Sequence, residues 1–189
     1  MKTVILDRDG VINQNPLNKG YVRDWNDFIF LPNALDAIRI LTQNGYGIIV
    51  ATNQAGIGKG LYSEKKLSEI HQQMLNVIEE EDGEIRKIYY CPHHPDAKCG
   101  CRKPNPGMLL QAAEENKLVL SKTFFIGDSF TDIQAARNAG ALPILVLTGH
   151  GRETYKQYIK ADSTVKDYTP EKIFTSLYSA ARWMTMTKN

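Results

Sequence analysis

The stretch "TVILDRDGVIN", Thr3 to Asn13, sets the reading of the chain. A short β-branched and aliphatic run suited to the inside of a sheet stops at two aspartates separated by one arginine. The same kind of run recurs: "YGIIVA" (46–51), "IRKIYY" (85–90), "TFFIG" (123–127) and "PILVLT" (143–148). Between these strands lie helical patterns. One spans about Asn33 to Asn44, with Leu35, Ile38 and Leu41 on one face and Gly45 as a stop. Ser63 is placed to cap a second, carrying Leu67, Ile70, Met74 and Val77, and Pro106 suits the first turn of a third. A fourth runs from about Thr131 to Ala139 and stops at Gly140, and a last begins near Pro170. Strands apolar on both faces, alternating with amphipathic helices, predict a doubly wound α/β fold with a parallel sheet. No repeat or linker divides the chain, so a single domain over 1–189 is expected.

Composition narrows the function. With 42% hydrophobic and 23% charged residues the 189-residue chain is an ordinary globular protein. A net charge of +2 supports neither a nucleic-acid groove nor a polybasic membrane contact. No apolar run approaches the roughly 20 residues of a membrane span, and the N-terminal one, Val4 to Leu6, is too short for a signal peptide. A cytoplasmic monomer is the expectation.

In open parallel sheets ligands bind beyond the carboxyl ends of the strands. Asp7 and Asp9 follow the first strand, Thr52 and Asn53 the second, Asp128 the fourth. Each alone has a bland explanation: a capped turn, a stabilised loop, a helix cap. Together on one rim they point to a site. Converging carboxylates need a cation, and an all-oxygen set of this kind suits Mg²⁺ with a phosphorylated ligand. Arg102 and Lys103 in "CRKPNPGM" supply phosphate-binding charge. One aspartate of "DRDG" could then attack phosphorus while the other handles the proton of the leaving oxygen.

"DRDGVIN", "ATNQAGIGKG", "CRKPNPGM" and "GDSFTD" resemble, in order and spacing from about Thr3 to Gly149, the four motifs of the haloacid dehalogenase-like phosphatases. The resemblance implies Asp7 as nucleophile and Asp9 as general acid, then base. It implies Mg²⁺ held by Asp7, the Asp9 carbonyl and Asp128. Thr52 and the Asn53 main chain would hold phosphoryl oxygens, Lys103 would neutralise developing charge, and Asp132 would orient a ligand or Lys103. Those roles call for a raised Asp9 pKa.

Cys91, His93, Cys99 and Cys101 form a C-x-H-x₅-C-x-C pattern, the donor set of a closed structural Zn²⁺ site. A C-x-C disulfide would be strained and leave an odd thiol. Zinc would order the 91–104 loop and, through Cys101, the backbone carrying Arg102 and Lys103. His94 is the weaker ligand candidate; His71 and His150 read as ordinary helix and loop residues.

The zinc loop also resembles that of the D-glycero-D-manno-heptose 1,7-bisphosphate phosphatases and the related histidinol-phosphate phosphatases. The intervals Asn13–Pro32 and Gly56–Tyr62 leave no room for a large cap domain. The heptose resemblance is the stronger. It implies that Asn18, Lys19, Gly20, Tyr21, Gln54, Ala55 and Arg102 face a sugar bisphosphate. Ser129 stands where some heptose enzymes carry a lysine. A reading from another class, a non-catalytic zinc module binding nucleic acid or a partner, leaves the aspartates at three strand ends unexplained.

Overall fold

The computed structural model describes residues 2–16, 20–160 and 168–186, with Lys160 by its backbone alone. The elements run β1 (Lys2–Leu6), α1 (Ala34–Gln43), β2 (Tyr46–Asn53), α2 (Glu64–Glu80), β3 (Lys87–Cys91), α3 (Gly107–Asn116), β4 (Phe124–Gly127), α4 (Phe130–Ala139), β5 (Leu142–Val146), α5 (Gly151–Lys160), β6 (Lys172–Phe174) and α6 (Leu177–Met186). All six strands pair in parallel, in the order β3-β2-β1-β4-β5-β6. The chain winds outward from β1 to β3, then returns to the other side of β1. The strand order therefore reverses between β1 and β4, where a crevice opens at the carboxyl ends.

Strand alternation divides the core between two faces. Val4 and Leu6 of β1 join Ile48, Val50, Ile126 and Ile144 against α1, α2 and α6. Ile5 joins Ile49, Ala51 and Phe125 against Met108, Leu109 and Ala112 of α3 and Ala135 and Ala136 of α4. On α1 the buried stripe is Ala34, Ala37, Ile38 and Leu41, with Leu35 only half-buried. On α2 Ile78 takes the core position expected of Val77, which is half-buried. Ser63 caps α2 through a bond from the Lys66 N–H. The segment between β1 and α1 covers the sheet end with a small aromatic cluster, in which the Trp25 and Phe30 rings each lie 5.0 Å from Phe28.

Two expectations need correction. The helix predicted from Pro170 is preceded by the edge strand β6 and starts only at Leu177. Helix α5 was not anticipated: Tyr155, Tyr158 and Ile159 share one of its faces with the buried Gly151 and Thr154, but Tyr155 and Ile159 stay exposed. The expected docking of "YSAARWMTMTKN" holds for α6, which buries Leu177, Ala180, Ala181 and Met184, while the expected frayed end, 187–189, lies outside the described residues.

Leu41 is fully enclosed where α1 meets the sheet. Leu41→Ala should lower stability by about 3 kcal/mol through lost burial and a residual cavity. Urea unfolding should show this as a lower midpoint at unchanged slope; an unchanged midpoint would contradict the packing.

Candidate active site

Asp7 stands one residue beyond β1, its N–H extending the sheet to the Ile126 carbonyl at 2.9 Å. That bond places its carboxylate at the β1–β4 switch point. The Lys103 ammonium, reaching in from the loop before α3, lies 2.8 Å from Asp7 Oδ1 and 2.7 Å from Asp132 Oδ1, and donates to the Ala51 carbonyl at 3.0 Å. All three side chains are buried. Burial opposes the charge on Lys103, but Asp132 and Asp7 outweigh it and raise its pKa. Asn53 holds the lysine backbone from both sides: its Oδ1 accepts from the Lys103 N–H at 3.1 Å and its Nδ2 donates to the Lys103 carbonyl at 3.2 Å.

Asp128 follows β4. Its Oδ2 accepts from the His150 N–H at 2.7 Å and from Asn15 Nδ2 at 3.4 Å. A Cβ on Gly10 or on Gly149 would lie 2.0 Å from the same oxygen, and both glycines have positive φ (+86° and +52°). No other residue type fits there. Thr148 ties the two glycine loops together by donating to the Gly10 carbonyl at 2.6 Å. Ser129, not Asp128, caps α4, and its partner in the capping box is Asp132. Asp132 Oδ2 accepts from the Asp128 N–H, the Ser129 N–H and the Ser129 hydroxyl at 3.2, 2.9 and 2.6 Å.

Asp7, Asp128 and Asp132 each bring a carboxylate oxygen within 4.8 Å of the others. One ammonium faces three carboxylates, and the imbalance shows in their acidity. Burial first, then Asp132 and Asp9, push Asp7 up to about 7 against the pull of Lys103. Burial, Asp132 and Asp7 likewise raise Asp128 well above the usual carboxylate range. Asp132 is taken up by Lys103 and the α4 cap, which leaves Asp7 and Asp128 as the carboxylates suited to a hard divalent cation.

Asp9 is in the opposite state. Its carboxylate accepts from Arg8 Nη2 at 2.9 and 3.0 Å, from Asn13 Nδ2 at 2.9 Å and from Gln54 Nε2 at 2.9 Å. Burial works to raise its pKa, but Arg8, Asn13 and Gln54 stabilise the anion and lower it. This corrects the expectation of a raised Asp9: in the free site Asp7 and Asp128 are the carboxyls held high.

Gln54 and Ala55, expected to face a sugar, are buried. Gln54 instead donates to Thr52 Oγ1 at 3.0 Å as well as to Asp9, and accepts from the Tyr62 hydroxyl at 2.7 Å. Arg102 is half-buried, and among the described residues its Nη1 has no hydrogen-bond partner. Tyr21 is half-buried with the Lys59 ammonium 5.4 Å from its ring, and Gly20 is an exposed turn with φ +67°. Asn18 and Lys19 lie outside the described residues. Sequence reasoning missed Arg8, Asn13, Tyr62 and the two glycines, and His71, read as ordinary, meets Arg8 Nη1 at 3.0 Å.

The second cluster lies in the loop after β3. Sulfur–sulfur separations among Cys91, Cys99 and Cys101 are 3.3–3.5 Å, and His93 Nδ1 lies 3.6 Å from Cys91 Sγ and 3.3 Å from Cys101 Sγ. These are close to the edges of a tetrahedron around an ion with bonds of about 2.0–2.3 Å. His94 lies outside it, its Nδ1 accepting from the Asp96 N–H at 3.2 Å. The loop is braced against the second motif: Gly58 donates to the Pro92 carbonyl at 2.8 Å, and a Cβ on Gly58 would strike the His94 backbone at 2.2 Å.

Comparison with known proteins agrees with this geometry. Residues 100–180 match the family model described as HAD-hydrolase-like. A D-glycero-beta-D-manno-heptose-1,7-bisphosphate 7-phosphatase of Pseudomonas putida is 41% identical over 167 residues, 88% of this chain and 94% of its own length. The enzyme of that name from Pseudomonas aeruginosa is 44% identical over 151 residues, 80% of this chain and 84% of its own. The crystal structure of D,D-heptose 1,7-bisphosphate phosphatase from B. bronchiseptica, complexed with magnesium and phosphate, superposes with a TM-score of 0.90 at 37% identity, covering all of both chains. The non-catalytic zinc-module reading falls with these matches. Buried carboxylates at a strand-order reversal, a lysine lodged among them and full-length relatives at about 40% identity have one common account: the chain belongs to the HAD-like hydrolases, in the family of the heptose-bisphosphate phosphatases.

Proposed function

We propose that this protein hydrolyses the C7 phosphate of D-glycero-β-D-manno-heptose 1,7-bisphosphate, as its relatives' names state for them, in supply of nucleotide-activated heptose for surface glycans. The convergence of Asp7, Asp128, Asp132 and Lys103 carries the reading. Mg²⁺ would be held by Asp7, Asp128 and the Asp9 carbonyl, and would supply charge neutralisation at the transferring phosphoryl group. Asp7 attacks phosphorus; an Asp7 oxygen–phosphorus bond forms as the ester oxygen leaves. Asp9 gives that oxygen its proton, then takes one from the water that cleaves the aspartyl phosphate. Because Asp9 is ionised in the free site, the bound phosphate must raise its pKa by adding negative charge beside it. Lys103 and the Thr52 hydroxyl stabilise the phosphoryl oxygens, and positioning of this kind supplies most of the acceleration in phosphoryl transfer. The Arg102 guanidinium and residues 18–21 would engage the sugar and its C1 phosphate.

On the same reading, 1–189 acts as one catalytic domain, a cytoplasmic monomer without nucleic-acid or membrane partners. No helix among the described residues is long and apolar enough to cross a membrane. The Cys91, His93, Cys99 and Cys101 site holds structural Zn²⁺. The comparisons favour the heptose substrate over histidinol phosphate.

Phosphate release from the heptose bisphosphate should require Mg²⁺ and exceed release from histidinol phosphate. Asp7→Asn should abolish it, and acid-quenched wild-type enzyme should carry phosphate on Asp7 by mass spectrometry. Faster turnover of histidinol phosphate would reverse the substrate choice, and phosphate on another residue would reverse the nucleophile.

A pH dependence follows from Asp7. Its pKa is about 7 in the fold against 3.8 for the ordinary side chain, so the folded state holds the proton more tightly. Without a divalent ion, stability from this group is full below about 3.8 and is lost as pH rises through about 7. Mg²⁺ competes with that proton, so its stabilisation should grow between pH 5.5 and 8. Thermal melts with Mg²⁺ or EDTA at the two values measure this; an equal shift at both would contradict it.

For zinc, elemental analysis should find about one ion per chain. Cys99→Ser should lose it, with a lower melting temperature and reduced turnover. A metal-free wild-type protein of full activity would refute the site.

A further inference from the structure

We propose that His71 is a positioning residue for ester cleavage: it fixes the buried Arg8 guanidinium, which in turn sets the orientation of the Asp9 carboxylate. The inference rests on the reading of Asp9 as the proton donor. Arg8 is fully enclosed. Its Nη2 spans both Asp9 oxygens, its Nη1 meets His71 Nε2 at 3.0 Å, and among the described residues its Nε has no hydrogen-bond partner. The Phe28 ring, whose centroid lies 5.8 Å from Arg8 Cζ, packs beside the guanidinium. Among the described residues, the hydrogen bonds that orient the guanidinium go to Asp9 and to His71.

Arginine can only donate, so His71 Nε2 must accept and the imidazole must be neutral with its proton on Nδ1. Burial and the Arg8 charge agree, holding the imidazole pKa down at about 3. His71 is itself fixed on α2, with its ring 6.1 Å from that of Tyr90 on β3. A helix thus reaches Arg8, next to the proposed proton donor, across 63 positions of sequence. Loss of the acceptor would leave Arg8 Nη1 buried without a partner and free the guanidinium to turn. Asn13 and Gln54 would still hold Asp9, so its carboxylate would shift rather than collapse.

A displaced proton donor matters only when the leaving oxygen needs a proton. An alkoxide from a sugar phosphate does; a nitrophenolate leaves without one. The measurement is kcat/KM for the heptose bisphosphate and for 4-nitrophenyl phosphate, on wild type, His71→Leu, His71→Gln and Asp9→Asn. This parameter includes steps only through transfer to the enzyme. Its ratio for two substrates in one preparation is independent of the folded fraction. His71→Leu should lose about tenfold on the sugar ester and less than about twofold on the aryl ester, while His71→Gln, which keeps an acceptor, should recover most of the loss. Asp9→Asn should show the same discrimination more strongly. Equal losses on both substrates, or none, in His71→Leu alongside a discriminating Asp9→Asn would overturn the role of His71 alone. An Asp9→Asn variant without discrimination would overturn the proton-donor reading beneath it.

Discussion

One buried ammonium group organises this molecule. Lys103 is withdrawn from water and lies within 3 Å of Asp7, Asp132 and the Ala51 carbonyl, so it bridges the ends of β1 and β2 and the start of α4. A buried charge is tolerated only when paired and hydrogen-bonded. Every surrounding feature can be understood as meeting that condition. Asp132 is immobilised by the α4 cap, Asn53 grips the lysine backbone, and Gly127 leaves space for Asp132, whose Cβ would lie 2.3 Å from a glycine Cβ. The compensation is deliberately incomplete: Asp7 and Asp128 retain more negative charge than Lys103 can neutralise, which makes the site receptive to a divalent ion.

The zinc-type cluster belongs to the same arrangement by chain connectivity. Cys101 is separated from Lys103 by a single residue. The loop they share is anchored at its other end by Cys91, the last residue of β3, which pairs with Asn53 in the sheet. Asn53 is also the residue that clamps Lys103. The four-donor cluster and the amide clamp therefore restrain one short segment from two sides, so a long, irregular loop can place a cation with the accuracy of a strand.

How much of this was legible in the sequence depended on distance along the chain. The strands announced themselves by β-branched runs, and the site by carboxylates at their ends, because both are local patterns. The four Cys and His donors fall within eleven residues, so their spacing was enough to group them. Helix α5 was overlooked although Tyr155, Tyr158 and Ile159 share a face, because three apolar residues in ten are a weak signal, and β6 because three residues at an edge make no pattern. The clamp on Asp9 was beyond reach for another reason. Arg8 and Asn13 are close in sequence, but only the folded turn aims both at Asp9, and Gln54 arrives from the end of β2. Charge state is a property of those contacts; a motif cannot carry it.

That difference answers the question of why two aspartates stand one residue apart. Side chains two positions apart would share one face of a strand and one environment. Here the strand has ended, and the turn through Arg8 gives each carboxylate its own cation. Asp7 faces a lysine already shared with Asp132 and is left under-compensated, as its proposed roles of metal ligand and nucleophile require. Asp9 receives an arginine with two further donors and is held as a stable anion. On the proposed mechanism, Arg8 thus separates two chemically identical groups into a nucleophile and a proton carrier.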